Sequence, residues 1–118
     1  MINEVVLLGT PFFEDELRSS LEKYDNIELL GSSGSISYSD KTLYLFFGQS
    51  ENDKDISCYG NLDFSELVAN RQIVPILQNL TNFRDFIPLS LNPVNAIEID
   101  SPLAIGKLKC FILTCWRN

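Results

Sequence analysis

The fold turns on the reading of Val5-Val6-Leu7-Leu8-Gly9-Thr10-Pro11. Four consecutive apolar residues, the first two β-branched, show no alternation of period two. That is the pattern of a strand covered on both faces, as in a parallel sheet. Gly9 closes the run, and Thr10 reads as an N-cap with Pro11 as the first helical residue. Glu14, Asp15 and Glu16 then place negative charge near the positive end of a helix dipole. Phe13, Leu17, Leu21 and Tyr24 recur at helical spacing, so the sequence predicts a helix from Pro11 to Tyr24.

Working outward, strand and helix alternate. A second strand is expected at Ile27 to Leu30, closed by Gly31-Ser32-Ser33-Gly34, and a third at Leu43 to Phe47, ending at Gly48. Gln49 to Asp55 is polar and reads as a loop, and a weak helix covers Phe64 to Asn70. Ile73-Val74-Pro75-Ile76-Leu77 is the fourth strand, its proline arguing for an edge or a bulge. Asn79 to Asn92 is loop-rich with one helical turn. Ala96 to Ile99 gives a short fifth strand, and a final amphipathic helix runs from Pro102 towards Trp116. The expected class is α/β: a single doubly wound, mainly parallel five-stranded sheet with flavodoxin-like connectivity. So few residues separate Leu30 from Leu43 that the second crossover is shortened to a helical turn or two.

At 118 residues the chain has room for one core, so residues 1–118 are read as one domain. Apolar residues make up 45% and charged residues 21%, too apolar for disorder. With nine Lys and Arg against 16 Asp and Glu the net charge is −7, which disfavours nucleic acid and anionic membrane as partners. Residues 1–66 hold 13 acidic and four basic side chains, net −9, while residues 67–118 hold three and five, net +2. Acidic solvated surface accounts for this; unlike patches suited to head-to-tail assembly are the sharper alternative.

The chain has no histidine, which removes Ser-His-Asp and Cys-His catalysis, imidazole bases and mixed Cys/His zinc sites. Cys58, Cys110 and Cys115 are odd in number and lack CxxC spacing, as expected for reduced thiols in a cytoplasmic protein. Cys110 and Cys115 read as buried apolar thiols, and Trp116 as a packing anchor. The start, Met1-Ile2-Asn3-Glu4, is unlike a signal peptide, and no apolar run reaches the roughly 18 residues of a membrane span.

Ligands of open α/β sheets bind beyond the carboxyl ends of the strands. Those ends supply Gly9, Thr10, Ser32, Gly48, Gln49 and Ser50 as candidate cofactor- or nucleotide-binding residues, with Glu51 and Asn79 beside them. Neither GxGxxG nor GxxxxGK[ST] occurs, so a tight strand-to-helix turn at Gly9-Thr10-Pro11 is the simpler reading. A phospho-receiver domain is excluded: Gly9-Thr10, Phe47-Gly48 and Asp100-Ser101 stand where its metal-binding acids and its lysine belong. Glu51, Asp53 and Asp55 lack the glycine and closing glutamate of an EF-hand and read as a solvated loop; no metal is expected.

From Arg71 to Asp100 the chain resembles the Toll/interleukin receptor (TIR) family. There a strand of the type I-V-P-I/V-L is followed by a loop with I-P and then by L-x-x-[LI]-N-A-I. The counterparts are Ile73 to Leu77, Ile87-Pro88, and Leu91 to Ile97. The closer likeness is to degenerate bacterial TIR-like domains, which can precede a standard TIR domain. The ending Cys115-Trp116-Arg117-Asn118 falls where that second domain would begin, so the resemblance implies either a stand-alone relative or the N-terminal module of a longer protein.

NAD⁺-cleaving TIR proteins carry a catalytic glutamate on the helix before the fourth strand. Counting back from Ile73 puts Leu62 at that place, with Asp63 and Glu66 nearby. The aromatic-serine-tyrosine ending of the first strand is replaced by Leu8-Gly9-Thr10-Pro11, and the self-association loop after the second strand is shortened to 31–40. The resemblance therefore implies a catalytically degenerate protein-interaction domain in bacterial anti-phage or immune-type signalling. Its partner would be another TIR or TIR-like domain, including a second copy, and it would need no cofactor. Two alternatives stay open. One is an NAD⁺ nucleosidase, NAD⁺ being substrate only, with Glu66 or Asp63 stabilising an oxocarbenium-like centre. The other is a nucleotide-sensing domain without catalysis.

Overall fold

The apolar run after Asn3 forms β1 (Glu4–Gly9), and the remaining strands are β2 (Glu28–Leu30), β3 (Thr42–Gly48), β4 (Ile73–Leu77) and β5 (Ile97–Glu98). The helices are α1 (Glu14–Leu21), α2 (Phe64–Ala69), α3 (Phe83–Phe86) and α4 (Ile105–Arg117), with 3₁₀ turns between them. These come from a computed structural model, which describes residues 3–24, 27–31, 41–60 and 62–117. The sheet order is β2-β1-β3-β4-β5 and every pair is parallel. This is the flavodoxin-like order, with the direction of winding reversing between β1 and β3.

Successive residues of each strand feed opposite cores. Val5, Leu7, Leu43, Leu45, Phe47, Val74 and Ile76 pack under α1 and α4 with Leu17, Leu21, Leu108 and Ile112. Val6, Leu8, Tyr44, Phe46, Ile73 and Leu77 pack on the other face with Phe64 and Leu67 of α2 and with Ile87 and Leu91. All seven residues of β3 are buried, which explains why its sequence lacks alternation.

Three expectations are corrected. Helix α1 begins at Glu14 rather than Pro11, and Thr10 does not cap it. Phe13 holds the N-cap position in the left-handed region (φ 55°, ψ 33°) with no side-chain cap. The residues between Gly9 and Glu14 instead bury Phe12, whose ring meets Phe47 edge-on at 5.1 Å. The Thr10 hydroxyl is drawn away to Asp53. Strand β4 is not an edge, because β3 and β5 flank it. Tyr44 N–H donates to the Gln72 carbonyl and Ile99 N–H to the Leu77 carbonyl, so alternation along β4 turns the Pro75 nitrogen towards β5. Pairing with β5 starts only at Ile76, and the missing N–H breaks no ladder bond.

The third correction concerns the thiols: Cys110 is exposed, as is Cys58. The buried stripe of α4 runs through Ile105, Leu108 and Ile112, and Cys110 falls between its members on the solvent side. The shortened crossover at 32–40 and the side chains of Cys115 and Trp116 lie outside the described residues. Among the described residues, no helix is long and apolar enough to cross a membrane.

Candidate functional site

The reversal of winding places the carboxyl ends of β1 and β3 side by side, where a crevice is expected. Gly9 ends β1 with φ +73°, and a Cβ there would collide with the Phe47 carbonyl oxygen. Only glycine satisfies both demands. Its N–H donates to the Tyr59 hydroxyl at 2.8 Å, and the Thr10 N–H donates to the Phe47 carbonyl at 3.0 Å. Both amide donors are thus engaged within the protein.

Asp53 knits the two strand ends together. It sits in a 3₁₀ turn, Glu51–Lys54, and is only 8% exposed. One carboxylate oxygen accepts the Thr10 hydroxyl at 2.7 Å. The other accepts the N–H groups of Gln49 at 2.7 Å and Ser50 at 3.0 Å. The Gln49 side-chain amide crosses back, donating to the Thr10 carbonyl at 2.7 Å. Asp53 is therefore a buried hub, which corrects the expectation of a solvated acidic loop; burying a carboxylate requires this many donors.

Of the sequence-predicted binding residues, Gly9, Thr10, Gln49 and Ser50 meet in this one network, and Gly48 lies at its base. Glu51 is exposed beside it. Asn79 stands apart, capping the 3₁₀ turn Leu80–Asn82 through the Thr81 N–H. Ser32 lies outside the described residues. Sequence reasoning missed Asp53 and Tyr59 as members. The spacing Ser50-x-x-Asp53, that of a capping box, could have pointed to the first. No local signal marks Tyr59, whose ring is held against Phe46 and Phe64. Burial pushes its phenol above the usual tyrosine range despite the bond from Gly9.

Asp63 and Glu66 come together at the start of α2. Asp63 is the N-cap and accepts the Glu66 N–H at 3.2 Å. Both side chains are exposed to solvent, and the bond between the two residues is that of an ordinary cap. Among the described residues, no group of three His, Cys, Asp or Glu could hold a metal ion. In comparisons with known proteins, no family model, no curated protein and no solved structure gives a significant match.

Proposed function

We propose that the chain is a catalytically degenerate TIR-like domain acting through protein–protein contact, in the immune-type signalling to which its sequence resemblance points. What supports the non-catalytic part is the hydrogen-bonding at the adjoining ends of β1 and β3. Their donors are consumed by Asp53, Tyr59 and Phe47, so a ligand there would displace bonds the protein already makes. Asp63 and Glu66, the carboxylates nearest the family's catalytic position, stand in solvent, where a carboxylate stabilises a developing cation weakly.

The contact reading draws on surface leucines. Leu80 follows β4 and Leu103 follows β5, and the two strands are paired neighbours. They are 45% and 96% exposed, so apolar area is available just beyond the carboxyl ends of the sheet.

Two measurements test this. Incubation of the purified protein with NAD⁺ is expected to release no nicotinamide, and turnover abolished by Glu66→Gln would overturn the proposal in favour of the nucleosidase. Sedimentation of the protein, alone and with a TIR domain, is expected to show association that Leu103→Asp weakens without lowering the melting temperature. Absence of any association would remove the contact reading.

A further inference from the structure

Beyond that reading, we infer that a cleft between the 3₁₀ turn after β3 and helix α3 binds a small phosphomonoester through Lys54 and Arg84. The cleft has a volume of about 340 Å³ and is lined by Lys54, Arg84, Ile87, Leu89 and Asn92. That size lies within the range of small-molecule pockets. Lys54 ends the turn that follows β3, and α3 follows β4, so the cleft opens on the carboxyl side of two neighbouring strands. Ligands of open α/β sheets bind on that side.

Gly48 is what lets its walls approach. A Cβ at Gly48 would come within 2.8 Å of Ile87 Cδ1 and 2.9 Å of the Phe86 carbonyl oxygen. With hydrogen there instead, the end of α3 closes onto the end of β3 and sets Arg84 and Lys54 around one space.

The charge of the cleft runs against that of the chain. The protein carries −7, yet neither Lys54 nor Arg84 makes an ion pair or hydrogen bond among the described residues. The acids nearest Lys54 in sequence are committed elsewhere: Asp53 to Thr10, Gln49 and Ser50, and Asp55 to the Ser57 N–H at 3.0 Å. Two unneutralised cations match the dianion of a phosphomonoester better than the single charge of a carboxylate. The planar fork of Arg84 suits two oxygens, and Lys54 adds a point charge.

The rest of the lining calls for an apolar body on that phosphate. Ile87 is buried in the floor, whereas Leu89 is 78% exposed and offers an uncovered apolar wall. Asn92 adds an amide donor and acceptor at the rim. A nucleoside monophosphate has the required chemistry, a dianion joined to a flat body.

The test is calorimetric titration with AMP and with inorganic phosphate, alongside backbone amide shifts. AMP is expected to bind saturably, inorganic phosphate more weakly, with shifts centred on residues 51–54 and 84–92. Lys54→Gln and Arg84→Gln should each weaken AMP by about tenfold, the loss of one charge-assisted hydrogen bond, with unchanged melting temperature. Lys107→Gln, an equal charge change on α4, should leave the affinity alone. Leu89→Ser should erase the preference for AMP over phosphate. No saturable AMP binding, shifts centred on Gly9 and Gln49 instead, or equal weakening by Lys107→Gln would each overturn the site.

Discussion

The Thr10 hydroxyl donates to the Asp53 carboxylate at 2.7 Å, joining the turn after β1 to the turn after β3 across 43 residues of chain. The same carboxylate takes two backbone N–H groups on its other oxygen. This division of labour makes the two oxygens unequal, and a mutant pair can resolve it. In Asp53→Asn the amide oxygen keeps both N–H bonds while its NH₂ faces Thr10, whose hydroxyl can turn to accept. Asp53→Ala leaves all three donors unpaired. Urea unfolding should therefore show a loss of about 2–4 kcal/mol for alanine and about half that for asparagine. Equal losses would mean that the carboxylate is not the organising group.

Gly9 is required by both its φ of +73° and the Phe47 carbonyl against it. Gly9→Ala should cost roughly 3 kcal/mol or more, since strain and collision act together. Gly106 is the contrasting case: it lies in α4, and a Cβ there meets nothing within 4 Å. Gly106→Ala should stabilise by about 0.5 kcal/mol through helix propensity. Melting temperatures of the two variants should move in opposite directions from the wild type.

Tyr59 carries a pH dependence whose sign can be worked out. Burial raises its folded pKa above the ordinary value near 10, so the folded state holds the phenolic proton more tightly than the unfolded chain. Its contribution to stability is complete below the unfolded pKa and is lost as pH rises through the folded one. Tyr59→Phe deletes both that slope and the acceptor of the Gly9 N–H. At neutral pH the variant should be about 1 kcal/mol less stable. Above about pH 10 the gap should narrow, measured by urea unfolding at each pH.

The parallel sheet was legible because β1, β3 and β4 are buried on both faces, and such strands write themselves as unbroken apolar runs. The candidate site was half legible. Gly9, Gly48 and Gln49 announce themselves by following those runs, whereas Asp53 was hidden because a buried carboxylate looks like any loop acid until its donors are known. Tyr59 reaches Gly9 across 50 residues, a distance no local pattern encodes. Phe13 misled in a different way. Its spacing fits the helix, but tertiary packing of Phe12 against Phe47 places Phe13 just outside it in a left-handed conformation.

Arg71 shows the same override at the other end of a helix, and it supports a prediction of the opposite sign. Helix α2 closes with the Gln72 N–H donating to the Leu67 carbonyl and the Arg71 N–H to the Val68 carbonyl. That pair of bonds is a Schellman motif, and its C′ position demands the left-handed region that glycine fills best. Here Arg71 occupies it at φ 57°. A side chain in that conformation costs roughly 1–2 kcal/mol, part of which glycine returns as extra freedom of the unfolded chain. Arg71→Gly should therefore stabilise the protein by about 0.5 kcal/mol, whereas Arg71→Val should destabilise it, because branching at Cβ worsens the strain. Urea midpoints ordered Gly above Arg above Val are the expected result, and a midpoint lowered by glycine would mean that the Arg71 side chain contributes more than its backbone costs.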